Sequence, residues 1–355
     1  MQLIVYVIPA YIALMFVELV WGLTTGKNTY RLNDSISSLS LGLLSRAMVV
    51  CLQFFHMGIY FWVYQQFALP HASDFWMSWY GWVLLFFLND FLEYWSHRIS
   101  HESAFFWAVH VVHHQSQRFN LSTALRQASF GPISTFIFFV PLAFLGVSPS
   151  QYILIQTIVL TYQFWIHTEH ITRMGWFDQV FNSPANHRVH HAINPEYLDK
   201  NYGAVLMVWD KIFGTYQQEQ APCVYGTTVA LNSWNPVWAN FADFQHLLSK
   251  AKAQNRWRDK LRSFFNSPGW GESSSDTKPS PKPYNPKVPV WQQKVAGVLF
   301  LVSVVCTMTF LIQAATLDIW QSLGGLLVVT LELWAANGLL EKPIFKSQSS
   351  TDASI

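Results

Sequence analysis

Charge is what this chain has least of. Aspartate, glutamate, lysine and arginine make up 12% of its 355 residues, about half the fraction usual in a soluble domain, while hydrophobic residues make up 51%. That balance excludes an ordinary water-soluble globule and fits a chain embedded in a bilayer. Cysteine is scarce too. Cys51, Cys223 and Cys306 are far apart and odd in number, so no disulfide framework is expected, and the two in apolar stretches read as small hydrophobes. No lysine-rich run or basic patch with interleaved aromatics occurs, which sets aside a nucleic-acid partner. The first apolar stretch has no basic residues before it and no small-residue cleavage site after it, so it reads as a retained span and not as a signal peptide.

Long apolar runs are present instead. They lie at about 2–23, 39–69, 76–96, 290–316 and 320–340, each near the ~20 helical residues that a hydrocarbon core requires. Two more, about 130–147 and 150–168, are separated by Gly146-Val147-Ser148-Pro149 and read as a helical hairpin. None alternates with period two, and backbone groups in lipid must be satisfied within their own segment, so the runs are expected to be helices. The expected fold is all-α: a polytopic transmembrane bundle with a cytoplasmic helical cap that carries a histidine-rich dimetal site. Lys27 and Arg31 follow the first run, Glu341, Lys342 and Lys346 follow the last, and residues 69–75 contain no Lys or Arg. The positive-inside rule then puts the first connection, the central polar region, the histidines and the C-terminus in the cytoplasm, with the chain multi-pass in a bacterial inner membrane or the endoplasmic reticulum.

Four regions are expected: transmembrane helices over 1–75, a catalytic core over 76–220, an amphipathic helix and linker over 221–289, and a transmembrane hairpin with tail over 290–355. In the third, Phe241, Phe244, Leu248, Trp257, Leu261 and Phe264 recur near helical spacing among Lys250, Lys252, Arg256, Arg258, Lys260 and Arg262. That pattern suits either a helix lying on an anionic membrane surface or a soluble helix packed on the cap. Residues 267–289, rich in proline and serine, read as a linker.

Ten of the 13 histidines fall in four clusters. His97 and His101 make H-x-x-x-H, His110, His113 and His114 make H-x-x-H-H, His167 and His170 make H-x-x-H, and His187, His190 and His191 repeat H-x-x-H-H. Residues three and four apart share one helix face, so each cluster can aim two or three imidazoles at one point. A single such histidine is usually an interfacial residue satisfied by backbone or water, and His56, His71 and His246 are read that way. Four clusters together are not: buried neutral imidazoles each bring a donor and an acceptor that need partners. Ten rings exceed one ion, so two ions are implied. Imidazole suits iron, zinc, copper and nickel, and no cysteine is near, which disfavours a structural zinc site. No Glu has His three residues later, unlike the soluble di-iron bundles, and the zinc-protease H-E-x-x-H is missing. Haem would use two to four histidines and leave the rest unexplained.

The ordered set His97–His101, His110–His114 and His187–His191 resembles the histidine signature of the fatty acid hydroxylase and sterol desaturase superfamily of membrane di-iron oxygenases. The segments from Asp90 to Arg98, Asn120 to Gln127, Trp165 to Glu169, Asn186 to His191, Asp199 to Gly203 and Trp209 to Thr215 look most like its alkylglycerol monooxygenase branch with the bacterial relatives of that branch, over about 80–216. The resemblance implies two non-haem iron ions, dioxygen, an electron donor and a lipid substrate drawn from the bilayer. In that branch the carbon beside an ether oxygen is hydroxylated and tetrahydrobiopterin is the reductant; other members act on sterols, carotenoids or acyl chains. The four clusters place the metal on His97, His101, His110, His113, His114, His167, His170, His187, His190 and His191.

Metal-bound histidines usually pass their second ring N–H to a carboxylate or a carbonyl. Glu102 beside His101, Glu169 between His167 and His170, and Asp90 seven residues before His97 are expected in that role, against the alternative of a helix cap or a solvated charge. Glu93, Asp90 and Glu332 lie in apolar runs, where a carboxylate is functional by default. Asp199, Asn201, Tyr202 and Asp210 either orient ligands or close the cap. The reading from a different class is a non-enzymatic membrane metal carrier, whose ligands would sit near mid-bilayer on discontinuous helices.

Overall fold

The computed structural model describes residues 2–70, 72–271 and 283–342. His71, Lys346, residues 272–282 of the linker and the C-terminal tail from 343 lie outside the described residues. The chain forms fifteen described helices: α1 (Gln2–Thr24), α2 (Leu32–Phe67), α3 (Ala72–Met77), α4 (Trp79–Glu102), α5 (Ala104–His114), α6 (Leu121–Ala124), α7 (Gly131–Phe144), α8 (Pro149–Trp165), α9 (Phe177–Val180), α10 (Pro184–His191), α11 (Val208–Ile212), α12 (Pro236–Ala253), α13 (Trp257–Phe265), α14 (Val290–Gln313) and α15 (Ile319–Gly338). Among the described residues no strand forms, only the isolated bridges Phe181–Leu206 and Ala192–Tyr225. The all-α architecture matches the expectation from the apolar runs.

Local sequence sets the helix ends. α7 stops in a Schellman arrangement: Gly146, at φ 89°, donates to the Ala143 carbonyl, and Val147 donates to that of Leu142. A Cβ on Gly146 would meet Ala72 at 2.7 Å, so only glycine closes this turn. Two residues after that glycine, Ser148 and Gln151 form a capping box with Pro149 at the first helical position, and α8 starts. Asp318 and Gln321 make the same box for α15.

α2 is the axis of the bundle. Its C-terminal half buries Tyr60 and Val63 with Leu85, Phe139, Leu142 and Ile155 of α4, α7 and α8. Its N-terminal half buries Leu44, Ala47 and Val50 against Phe310, Val329 and Leu333 of the α14–α15 hairpin. Between helices that face lipid, apolar burial supplies little drive because acyl chains are as apolar as leucine. Polar ties therefore fix the register: Asn337 Nδ2 donates to Ser40 Oγ at 2.8 Å, Tyr60 to the Val147 carbonyl at 3.0 Å, and Trp76 Nε1 to the Leu145 carbonyl at 2.6 Å.

Three helical stretches are long and apolar enough to cross a membrane: Leu32–Leu52, Val290–Gln313 and Ile319–Gly338. The first apolar run lies in α1, of which Ile8–Thr24 is an apolar stretch shorter than a span among the described residues, and the third runs across the break between α3 and α4. α4 carries Asp90, Glu93 and the first two site histidines within its apolar face. The molecule is a membrane protein, and the bundle has two ends. One gathers α3 against the α7–α8 turn; the other gathers the histidines, the short helices α9 to α11, and α12. Glu341, after α15, accepts from Ser233 Oγ and from the backbone of Trp234 and Asn235 at the start of α12. The expected amphipathic helix is broken at Gln254 (ψ 136°) into α12 and α13. Phe244 and Phe264 pack on α5, whereas Phe241, Leu248, Trp257 and Leu261 remain exposed.

Candidate metal centre

Four elements bring the histidines together. His97 and His101 occupy the last two turns of α4, His110, His113 and His114 the end of α5, His167 the residues just beyond α8, and His187, His190 and His191 the short α10. They sort into two groups, His97, His101, His110, His114 and His190, and His113, His167, His187 and His191; within each, one ring nitrogen per residue lies within 4.8 Å of all the others. Helical geometry does the sorting. The i,i+4 pairs His110/His114 and His187/His191 each face one group, and the intervening His113 and His190 turn to the other. The groups adjoin, with ring centroids 4.3 Å apart for His114 and His191 and 5.3 Å for His187 and His190.

Backbone carbonyls fix the tautomers. Nδ1 donates to the carbonyl of Tyr202 from His97 (2.8 Å), of Arg126 from His113 (2.9 Å), of Gln163 from His167 (2.8 Å) and of Lys200 from His190 (3.0 Å). Each Nε2 then carries a bare lone pair toward the interior. The Nε2 atoms of His113 and His167 are 3.3 Å apart, and those of His101 and His190 are buried without any hydrogen-bond partner. Other Nε2 pairs approach equally closely: His97 with His110 at 3.1 Å and His187 with His167 at 2.9 Å. The His113 and His167 lone pairs, both on rings whose Nδ1 carries the proton, repel at 3.3 Å unless a cation lies between them, and two ligands ~2.1 Å from one ion stand about 3 Å apart. A proton is a poor substitute, because burial and the neighbouring imidazoles hold His190 and His191 well below the usual histidine range and burial lowers His113 to about 4. The rings are neutral and ready to ligate at pH 7. A nitrogen-only donor set in two adjacent groups fits two borderline metal ions.

His170 does not join. The helix ends at Trp165, so the spacing between His167 and His170 is not helical, and the two rings diverge; His170 Nε2 is buried without a partner near the Gly22 backbone. The three carboxylates expected to back the histidines also lie elsewhere. Glu102 is half exposed and pairs with Arg98 at 2.8 Å. Glu169 makes no bond to either neighbouring histidine and lines a surface cleft. Asp90 is fully buried and accepts from the Val205 and Leu206 backbone (2.9 and 3.2 Å) and from Trp209 Nε1 (2.9 Å). It clamps the loop that carries Tyr202. The carboxylate nearest a site histidine is Asp199, 3.7 Å from His101 Nδ1.

The loop after α10 closes the site from the cap. Asp199 and Asn201 both take φ 57°, a left-handed conformation that Asn and Asp tolerate. Asn201 donates to the Asn186 and Gln217 carbonyls, and Asp210 accepts from the Tyr202 and Gly203 backbone and from Thr215 Oγ1. This turn aims the Tyr202 carbonyl at His97. Tyr202 itself is fully buried, its hydroxyl has no partner, and its ring lies 5.3 Å from that of His101. Glu93 sits one turn before His97 beside Gln156 of α8. Glu332 lies beside Cys306 on the C-terminal hairpin, which bears none of the site histidines.

Sequence reasoning missed three supports. Arg126, fully buried, donates to the Val112 carbonyl at 2.7 Å and to Gln115, while its own carbonyl orients His113. Glu18 on α1 accepts from Thr168, the residue after His167, and from the Leu121 backbone. Asp34 on α2 accepts from Ser116 and Gln117 just beyond α5. Glu18 carried a usable signal, a carboxylate inside an apolar run.

Residues 82–215, which contain all these histidines, match the fatty acid hydroxylase family. The chain is 39% identical over 265 residues to alkylglycerol monooxygenase of Homo sapiens, covering 74% of this chain and 59% of that protein. The Danio rerio protein of the same name is 36% identical over 264 residues, covering 74% and 58%, and ornithine lipid hydroxylase of Rhizobium tropici is 28% identical over 169 residues, covering 44% and 48%. The chain thus spans about three fifths of the length of the alkylglycerol monooxygenases it matches. No solved structure matches it. The histidine-bearing core of this chain, residues 82–215, is a domain of the fatty acid hydroxylase family.

Proposed function

We propose that this chain is a multi-pass membrane monooxygenase that hydroxylates a C–H bond of a lipid at a non-haem di-iron centre facing the cytoplasm. One observation carries the reading: nine imidazoles, seven buried and two partly buried, in adjoining groups of five and four, with one ring nitrogen of each converging on its group. His97, His101, His110, His114 and His190 would hold one ion, and His113, His167, His187 and His191 the other. Two iron ions there would supply the activation of dioxygen. The chain's part is to orient and to exclude. The carbonyls of Tyr202, Arg126, Gln163 and Lys200 hold four rings in one tautomer, as ligand-orienting partners do at metal sites. The 199–215 loop covers the histidines from the cap side, and the lipid reaches them from the bilayer side.

The names of the relatives favour an alkylglycerol ether lipid, and the resemblance of the histidine boxes implies hydroxylation beside the ether oxygen with a tetrahydropterin as electron donor. A sterol or acyl-chain hydroxylase or desaturase is the alternative within the family; the sterol desaturase of Gibberella zeae is 28% identical over 149 residues. A metal carrier is disfavoured because the ligands sit at helix ends and in the cap, on four elements that would have to separate to release an ion. Iron-loaded protein in nanodiscs is expected to hold about two irons per chain and to convert an alkylglycerol to an aldehyde with consumption of dioxygen. His190→Ala is expected to lower the iron content and abolish product. Loaded protein that consumes no dioxygen with ether lipid, sterol or acyl lipid under any reductant would overturn the proposal.

A further inference from the structure

The histidines account for the metals of the proposed monooxygenase but not for its electrons. Hydroxylation follows R–H + O2 + DH2 → R–OH + H2O + D, so a donor DH2 must give up two electrons and two protons, one dioxygen atom entering the lipid and the other leaving as water. A second concavity lies beside the four-histidine group. It is a cleft of about 540 Å3 lined by Glu169, Arg173, Arg188, Glu219 and Tyr225 among others, a size typical of small-molecule sites and far too small for a protein surface.

Two aromatic rings separate this cleft from the histidines. Tyr225 stacks on Phe119 with centroids 5.0 Å apart and planes at 15°, and Phe119 stacks on His167 at 5.5 Å and 27° and touches His191 at 5.2 Å. Phe119 is fully buried. An occupant of the cleft therefore cannot bring a C–H bond to the metals, but its electrons have only two rings to cross. The walls are tied to the metal-binding elements: Arg188, between His187 and Val189 on α10, donates to Glu219 at 2.7 Å and to the Thr168 and Ile171 carbonyls at 3.0 and 2.7 Å. Those bonds occupy its guanidinium. What the cleft offers a ligand is the Tyr225 ring for stacking, the Glu169 carboxylate as acceptor and Arg173 as donor. An incoming lipid phosphate would have only Arg173, whereas a planar ring with N–H and carbonyl edges uses all three.

We propose that this cleft binds the electron donor, a reduced nitrogen heterocycle that leaves two electrons poorer, and that Tyr225 and Phe119 conduct those electrons to the four-histidine group. The assignment rests on the monooxygenase reading. Its test separates the two. Metal-free chain in nanodiscs is titrated with oxidised biopterin and, separately, riboflavin, whose fluorescence is quenched on stacking. Saturable quenching by one of them is expected, with Kd raised about tenfold, a loss of one stacking or charged hydrogen-bond contact, in Tyr225→Leu and in Glu169→Gln. No quenching, an unchanged Kd in both variants, or displacement by dihexanoyl phosphatidylcholine would overturn it, the last assigning the cleft to a lipid head group. In parallel, iron-loaded protein is reduced chemically, freed of reductant and exposed once to dioxygen and lipid. That single turnover needs no bound donor, so the parent is expected to form product, and iron retained by Tyr225→Leu at the parent's stoichiometry shows that the variant is folded. A parent that forms product while neither heterocycle binds removes the cleft assignment alone; a parent that forms none removes the monooxygenase reading and the role of the cleft with it.

Discussion

Asp90 shows how a residue flagged for one task performs another. A carboxylate inside an apolar helix is expensive, and seven residues before His97 it looks like a partner for that ring. It instead accepts three hydrogen bonds from the 205–209 segment. Asp90→Ala would leave Val205 N–H, Leu206 N–H and Trp209 Nε1–H buried without an acceptor, at about 1–3 kcal/mol each. The variant is expected to melt well below the parent in detergent and to lose iron from the five-histidine group first, since the loop presenting the Tyr202 carbonyl would loosen. Asp90→Asn, keeping one acceptor oxygen, should fall between. Equal melting of Asp90→Ala and parent would show that this clamp carries no weight. Nine of the ten histidines placed together by spacing do meet, because H-x-x-H-H on a helix dictates its own face. His170 departs because its spacing was read as helical where the chain has already left α8. The carboxylate partners were illegible for a related reason. Neighbours in sequence were taken as neighbours in space, while the ring N–H groups turned to carbonyls of loops far along the chain.

At the scale of elements, the long helices were legible because each is an apolar run closed by a turn with its own chemistry, as at Gly146 and Ser148. The short helices α3, α6, α9 and α11 were not, since so short a segment shows no periodicity. Their order comes from buried side chains, Asn201, Asp210 and Arg188, that bond backbone atoms of distant segments. α6 and the residues after it are held by close contact with the bundle axis. A Cβ at Gly42 of α2 would come within 2.3 Å of the Leu125 carbonyl, and backbone cannot rotate away as a side chain can. Gly42→Ala is therefore expected to cost about 1–3 kcal/mol by overpacking. It should also push residues 125–126 off α2, and with them the carbonyl that orients His113. Iron retention in the four-histidine group is expected to fall more than in the other, measurable by metal analysis after dialysis against a chelator. Unchanged retention with lowered stability would confine the glycine to packing.

For the whole molecule, the determining feature is an apolar surface that water would not tolerate. Phe16, Trp21, Val298, Leu301, Val305, Ile312, Leu327, Leu331 and Trp334 are all exposed, far beyond the scattered apolar residues of a soluble surface. In the proposed multi-pass arrangement this belt faces acyl chains, and the two ends of the bundle face opposite aqueous phases. Contacts between loops fix which segments share an end. Leu69 donates to the Phe144 carbonyl, so the α2–α3 and α7–α8 connections lie together; Gln292 of α14 bonds the Leu339 carbonyl after α15 at 2.6 Å, and Glu341 ties that end of the hairpin to the cap. Leu69 and Trp176, 56% and 72% exposed, mark the two ends. After replacement of Cys51, Cys223 and Cys306 by serine, Leu69→Cys and Trp176→Cys are expected to react with a membrane-impermeant maleimide from opposite faces of sealed vesicles, Trp176→Cys from the cytoplasmic face, on which Lys27 and Arg31 also lie. Labelling of both from one face would mean that α2 does not cross the bilayer, and the histidines would then sit on a domain that rests on the membrane with its apolar belt covered by something other than lipid.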